Sequence, residues 1–455
     1  MASRATTKLL RVLKADDASF AEEFATLCDR SGPSENQAKL EASVRETIAT
    51  IRQQGDAGLI AAVKRATGAK LEALEVTPAE WDEACESVDP ADRAAIGKAA
   101  MRIRAFHRKR IPSSWEMREE GGASMGQRVR PLDSVGIYLP TEESVRPTSV
   151  IMYTTPASVV EVPEIILTTA PGKNGKVNPE ILMAARVAGV HRVFKSTGAA
   201  AVTAMALGTD SVPRVDKIIG PGEAEGSTAK QLLMGDVGVD TKIGSSEVCI
   251  IADTSATPAW IAADLISQAE KSSNSQQILI THSKPTATRV LDQVTRQLKT
   301  LDRAEIAKKA MTERGAIIVT KSQNESIALA NQYAAERLVL AVKDPDAAHK
   351  LVKNAGAVFL GHYTPVAVGD YLAGPNHALP TGGSARFLSP LSVEDFLKRT
   401  TFMRFEPPKL RELGAEVIRL AEVEGLAGPG RSVDLRLQKI RRVRREREAA
   451  REVEV

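Results

Sequence analysis

The sequence predicts an α/β fold made of two Rossmann-like parallel-sheet domains, with a helical N-terminal region and a helical C-terminal tail. Two observations carry this. From Ser134 onward, short apolar runs alternate with helical patterns, and the alternation falls into two separate series. Strands that are apolar along their whole length, rather than at every second residue, belong to parallel sheets covered on both faces by helices.

Residues 36–110 are rich in Ala and charged residues, with Val44, Ile48 and Ile51 at helical spacing. The first series opens with a strand at 135–139 and a helix at about 148–160. A strand at 164–168, a Gly/Asn loop, a helix at 179–188 and strands at 192–195 and 216–219 follow. The second series begins with a strand at 247–251 and continues through a helix at 261–270 to strands at 277–280, 316–319 and 338–341. Two such series imply two halves with a cleft between them, where ligands of open α/β sheets bind. Residues 392–455 read as helical without strands. They are too few for a core of their own and are expected to pack on the body or on a second subunit.

With 455 residues the chain can build two or more domains with a substantial core. Hydrophobic content of 43% and charged content of 26% are those of a soluble globular protein. Aromatics at 4% are too scarce for base-stacking platforms, so no nucleic-acid partner is expected. The stretch from Lys439 to Arg447 is basic, but Glu446, Glu448, Glu452 and Glu454 dilute it, as in a solvated helical extension. Cys28, Cys85 and Cys249 are scattered without metal or redox spacing, which points to a reducing cytosol. No apolar run is long enough to span a bilayer. The first eight residues faintly resemble a transit peptide, yet Asp16 and Asp17 follow quickly, so the expected location is cytoplasmic.

Four stretches have residue types suited to chemistry. Gly220-Pro221-Gly222-Glu223-Ala224-Glu225-Gly226 joins a strand to a helix, where backbone amides approach an anion. Its spacing is not the dinucleotide fingerprint, and Glu223 and Glu225 place carboxylates where an anion would dock. Either they cap the helix or they touch a cofactor. Glu336-Arg337 enters a strand and reads as a structural ion pair or a catalytic one. Gly369-Asp370-Tyr371 and Gly374-Pro375-Asn376-His377 lie in a loop rich in Gly, Pro, Asp, Asn and His, where sites tend to gather. Ser267-Gln268-Ala269-Glu270-Lys271 closes a helix with an amide, a carboxylate and a cation.

Together with Gly126-Gln127-Arg128-Val129-Arg130-Pro131-Leu132, Gly244-Ser245-Ser246-Glu247-Val248, Asn331-Gln332-Tyr333 and Asn376-His377-Ala378-Leu379-Pro380-Thr381, these stretches resemble the histidinol dehydrogenase family over about residues 36–440. The resemblance implies an NAD-dependent oxidation of L-histidinol, in two hydride transfers through an aldehyde, by a homodimer whose C-terminal segment completes the partner's site. It divides the chain into a helical region (1–132), the second Rossmann-like domain (133–244), the rest of the first (245–390) and a dimer-forming tail (391–455).

Carried over residue by residue, the family's zinc ligands match at Gln268 and Asp370. Lys271 and Pro429 stand where the family has histidines. An ammonium has no lone pair for a metal, and an amide plus one carboxylate is a poor zinc site, so zinc is not expected. His377 and His362 are the candidates to compensate. The water-activating glutamate matches Glu336, but Arg337 replaces the base histidine and cannot accept a proton. Of the cofactor positions Tyr138 matches, a glutamine is Ala200, an asparagine is Glu223, and a glycine pair is Thr141-Glu142. Ser246, Gln268, Asp370, His377 and Glu424 are the expected substrate contacts, and Glu336, Arg337 and Lys271 the catalytic candidates. These departures imply either a zinc-independent NAD-dependent oxidoreductase for histidinol or a related small amino or hydroxy alcohol, or a silent relative. The latter would serve as a ligand-binding, regulatory or partner subunit, possibly a heteromer with an intact family member.

Overall fold

The computed structural model describes residues 9–30, 35–140, 146–240 and 244–453. Residues 1–8 and Thr141-Glu142 therefore lie outside the described residues. The chain runs β1 (Arg11–Lys14), α1 (Phe20–Cys28), α2 (Glu35–Thr67), α3 (Pro78–Ser87), α4 (Pro90–Arg108), β2 (Trp115–Glu119) and β3 (Ala123–Pro131). The first α/β series follows as β4 (Ser134–Tyr138), α5 (Pro147–Val159), β5 (Glu164–Thr169), α6 (Pro179–Ala188), β6 (Arg192–Lys195), α7 (Gly198–Leu207), β7 (Lys217–Ile219), α8 (Ala224–Leu232) and β8 (Gly238–Val239). The second comprises β9 (Glu247–Ala252), α9 (Pro258–Ala269), β10 (Gln276–Thr281), α10 (Lys284–Gln297), α11 (Ala304–Arg314), β11 (Ala316–Val319), α12 (Gln323–Tyr333), β12 (Arg337–Ala341), α13 (Pro345–His349), β13 (Ala357–Leu360) and α14 (Val366–Tyr371). The chain ends in β14 (Leu397–Phe405), α15 (Pro407–Val423) and α16 (Ala427–Val453).

Two parallel sheets form the larger unit, residues 1–111 and 131–396. One has the order β1-β11-β10-β9-β12-β13, the other β6-β5-β4-β7-β8. Local chemistry sets the element ends as the sequence suggests. At α6 the Asn178 side chain accepts the amides of Glu180 and Ile181, Pro179 opens the helix, and Gly189 at φ 95° closes it. The six-stranded sheet is covered on both faces: Leu265, Val290 and Met311 pack on one, Leu27, Ile327 and Tyr333 on the other. Its central strands β9 through β12 are buried along their whole length and mostly apolar, with Glu247, Gln276, Gln277, Thr281 and Arg337 the polar exceptions at their ends. In the five-stranded sheet, the Ala-rich α7 is buried from Gly198 to Ala206.

The topology makes a crevice. The chain leaves β4 outward to β5 and β6, then returns to β4's other side for β7 and β8. The β4 and β7 ends are thus the switch point of the five-stranded sheet, and Tyr138 and Gly220 stand there.

The helical reading of the two ends was incomplete. Within the N-terminal region β1 joins the six-stranded sheet, parallel to β11 with Arg11 opposite Ala316. Residues 392–455, read as strandless, contain β14. It pairs in a three-stranded sheet of order β14-β3-β2. Both β2 and β14 are largely exposed and mix charged with apolar residues, so they lack the apolar run that marks the buried strands. This sheet and α15–α16 make up the second unit, residues 112–130 and 397–455. There α15 and α16 approach closely at Gly414, where a side chain would meet Leu437 at 2.8 Å. No helix among the described residues is long and apolar enough to cross a membrane.

Candidate active site

Loops from both sheets of the larger unit line a cleft of about 1680 Å³. The six-stranded sheet contributes the amino ends of its strands: Ser246 and Glu247 at β9, Gln276 at β10, and Glu336 and Arg337 at β12. Lys271 follows α9, Asp370 lies in α14, and His377 follows in the loop beyond. The five-stranded sheet contributes Pro221, Gly222, Glu223 and Ala224, where α8 begins.

Four charged side chains form one network. The Lys271 ammonium donates to Asp370 Oδ2 at 2.6 Å, and Arg337 Nη2 donates to Asp370 Oδ1 at 3.0 Å. Arg337 Nη1 also lies 2.5 Å from Glu336 Oε1, and the backbone amide of Glu247 donates to Glu336 Oε2 at 2.7 Å. The Arg337, Glu336 and Asp370 side chains are no more than 8% exposed, and Lys271 is 24% exposed toward the cleft. Burial would raise the Asp370 carboxyl, but Arg337 and Lys271 outweigh it and hold it at about 2. For Glu336 burial wins, lifting it to about 7 against Arg337 and the Glu247 amide. Burial and the Arg337 charge lower Lys271 from its ordinary value. His377, half-buried with Nδ1 3.0 Å from the Asp370 carbonyl oxygen, is held by burial at about 4 and is neutral at pH 7.

The residues do not fit a zinc ion. Both Asp370 oxygens already accept from cations, and Gln268 offers one amide, its Nε2 3.5 Å from Asp370 Oδ2. Gln268 is fully buried, and its Oε1 accepts no hydrogen bond among the described residues. One free amide oxygen is far from the four nitrogen, sulfur or oxygen donors zinc requires. His377 lines the cleft, whereas His362 lies beyond β13 with Nε2 3.2 Å from Ser255 Oγ.

On the opposite wall the cofactor candidates are arranged unexpectedly. Tyr138 and Ala200 are 0% and 3% exposed, and neither lines the cleft, while Glu223 does. Tyr138 Oη donates to Glu223 Oε1 in a very short hydrogen bond. Glu223 occupies the N-cap position of α8 but makes no capping bond with its side chain. The capping alternative is thus not realised. The open cleft nevertheless exceeds the 300–1,000 Å³ of ordinary ligand pockets. It has room for a dinucleotide beside the switch point.

Ser246 lines the cleft, and its carbonyl oxygen accepts the Gln276 amide at 3.0 Å. Glu424, at the C-cap of α15, and Pro429, in α16, belong to the second unit. The sequence reading missed a supporting pair. Arg30 Nη1 donates to Glu247 Oε2 at 2.5 Å, with its guanidinium 4.1 Å above the Tyr333 ring. A carboxylate opening an otherwise apolar strand was a signal for Glu247, but Arg30 sits after α1 with nothing local to mark it.

A sequence model of the histidinol dehydrogenase family matches residues 30–437. Histidinol dehydrogenase of Geobacter sulfurreducens is 45% identical over 432 residues, covering 94% of this chain and 100% of the relative. That of Syntrophotalea carbinolica is 44% identical over 433 residues, with the same coverage. The crystal structure of histidinol dehydrogenase from Elizabethkingia anophelis superposes with a TM-score of 0.90 at 32% identity, covering 95% of this chain and 99% of that one. Sequence and fold agree over nearly the whole length, and the chain belongs to the histidinol dehydrogenase family.

Proposed function

We propose that this protein is an NAD-dependent oxidoreductase for L-histidinol or a related small amino or hydroxy alcohol, and that it works without zinc. The observation that carries the reading is the placement of the Lys271 ammonium on Asp370, in a network that includes Glu336, which burial lifts to about 7. A cation beside a substrate oxygen stabilises the charge that develops as an alcohol loses its proton. Among the described residues the Lys271 ammonium donates to Asp370 alone, which leaves further N–H donors for the cleft that Lys271 lines. Glu336 takes the hydroxyl proton, since a base is most effective near the working pH. Ser246, Asp370 and His377 on the cleft wall position the substrate, with His377 neutral and the fully buried Gln268 beside Asp370 supporting them. The switch-point crevice beside Glu223 would hold NAD, which would supply the hydride acceptor. The C-terminal unit pairs two chains into a homodimer.

The test combines metal content with turnover. Protein purified in chelator, free of zinc, is expected to form NADH from histidinol or a related alcohol. Loss of all turnover on zinc removal, restored by zinc at one per chain, overturns the metal-free reading. A second reading, a silent relative acting as a ligand-binding, regulatory or partner subunit, draws on one observation: Arg337 ties Glu336 and Asp370 into a network closed on itself. No NADH from any small amino or hydroxy alcohol, together with co-purification of an intact family member, would establish that reading instead.

A further inference from the structure

The connection from β7 into α8, which brings Gly222 and Glu223 to the cleft, is anchored by a buried ion pair. Gly220 follows the last residue of β7, so its peptide groups have left the strand ladder, yet it is buried. Buried backbone donors and acceptors need partners, and here side chains provide both. Asp240 Oδ2 accepts the Gly220 amide at 2.8 Å, and the Lys230 ammonium donates to the Gly220 carbonyl oxygen at 2.8 Å. Lys230 also donates to Asp240 Oδ1, which closes a triangle of ammonium, carboxylate and peptide. The two side chains are 4% and 8% exposed. Lys230 comes from α8, and Asp240 follows β8, where its amide extends the pairing with β7 by donating to the Ile218 carbonyl oxygen. On its other side Gly220 abuts β4, and a Cβ there would collide with the Tyr138 carbonyl oxygen. The connection is thus pinned between β4, α8 and the end of β8.

An ion pair this deep is a costly way to fill space, since apolar side chains of like volume often serve stability as well or better. Apolar side chains could not hold the Gly220 peptide. That peptide leads directly into Pro221, Gly222 and Glu223, which line the cleft at the switch point, where ligands of open α/β sheets bind. We infer that Lys230 and Asp240 are positioning residues for the dinucleotide, acting through the Gly220 peptide to fix the connection 220–223 against which it lies. A wall locked by its own hydrogen bonds is pre-formed, so binding need not order it. This role rests on the proposed NAD dependence, since the dinucleotide is the ligand the connection would meet.

The experiment measures NAD affinity by calorimetry, and the urea midpoint, on the full chain and three variants. Lys230→Met removes the donor to Gly220 and leaves Asp240 without its ammonium. In Lys230→Met/Asp240→Asn no charge is left unpaired, while asparagine still accepts the Gly220 amide. Lys217→Met is the control: it breaks a contact at the opposite end of β7, where Lys217 donates to the Asp395 carbonyl oxygen at 2.7 Å. Both Lys230 variants are expected to bind NAD at least tenfold more weakly. The double variant should do so with a urea midpoint close to that of the wild type, and Lys217→Met should bind NAD unchanged. A merely structural pair would instead let NAD affinity recover with the midpoint in the double variant. That result, or equal weakening in Lys217→Met, overturns the proposal and leaves the dehydrogenase reading standing. A double variant that loses midpoint and affinity together overturns it too, because general loosening would explain both. If the wild type does not bind NAD at millimolar concentration, the NAD dependence fails and this role with it. The double variant keeps the test decisive if Lys230→Met does not fold.

Discussion

Replacing Asp370 with Asn tests whether side chains rather than a metal hold the site together. Asp370 accepts from Lys271 at 2.6 Å and from Arg337 at 3.0 Å, and its side chain is 8% exposed. Removing one partner of a buried ion pair costs about 3–5 kcal/mol, because the remaining charge is left uncompensated. Here two cations lose the same anion, but Arg337 keeps Glu336 and Lys271 can turn toward water in the cleft. A loss of about 3 kcal/mol follows, at the lower end of that range. At about 2 cal/mol/K per residue of unfolding entropy, a chain this long loses only about 1 °C per kcal/mol, so urea titration is the better assay. The pH dependence supplies a second check. The Asp370 carboxyl is lowered from 3.8 to about 2, so its stabilisation is present above about 3.8 and lost as pH falls through about 2. Wild type and Asp370→Asn should therefore differ most above pH 4 and converge toward pH 2. A difference below about 0.5 kcal/mol at pH 7, the size of an ordinary surface substitution, refutes the argument. So does a difference that vanishes when chelator is added to both proteins.

Glu336→Gln should abolish turnover, and in the wild type kcat/KM should rise with pH through an apparent value near 7. A pH-independent rate in the wild type would exclude Glu336 as the base. Because burial raises this carboxyl from 4.5 to about 7, its stabilising contribution is complete below about 4.5 and lost as pH rises through about 7. Stability of Glu336→Gln should be flatter across that window, as read by urea titration. Gly226→Ala forces a methyl within 2.7 Å of the Tyr138 ring and should cost about 1–3 kcal/mol by overpacking. An unchanged urea midpoint would show that the contact relaxes freely.

Much of the fold was legible because parallel strands between helices carry apolar runs buried on both faces, and β9 to β12 do so apart from polar residues at their ends. Among the strands the sequence concealed, β1, β2 and β14 are edge strands with largely solvent-facing residues, so their residues answer to solvent more than to a core. The site was legible only in part. Gln268, Lys271, Glu336, Arg337 and Asp370 come from separate stretches, and it was family resemblance, not spacing, that pointed to their convergence. Tyr138 and Ala200, which the resemblance assigns to the cofactor, are buried and do not line the cleft. The family position says where a residue sits on the scaffold, but not that Glu223 covers Tyr138 in this chain. Arg30 was invisible because its partners Glu247 and Tyr333 are more than two hundred residues away.

The two cations at the centre of the site share the same carboxylates, even though burial and the Arg337 charge lower Lys271 from its ordinary value. Lys271 and Arg337 bring two positive charges to the carboxylates of Asp370 and Glu336, and buried carboxylates without such partners would be expelled or protonated. A divalent ion would supply charge of the same sign, which the ammonium and guanidinium already bring to these carboxylates. Lys271→His therefore exchanges a cation for a group that is largely neutral at pH 7. It leaves Asp370 with Arg337 alone while providing zinc with only one imidazole, one amide and an occupied carboxylate. The expected outcome is a destabilised protein that still contains less than one zinc per chain after dialysis, measured by elemental analysis. Stoichiometric zinc in that single variant would mean that the remaining shell fits the metal after all, and that the Lys271 ammonium was the one obstacle.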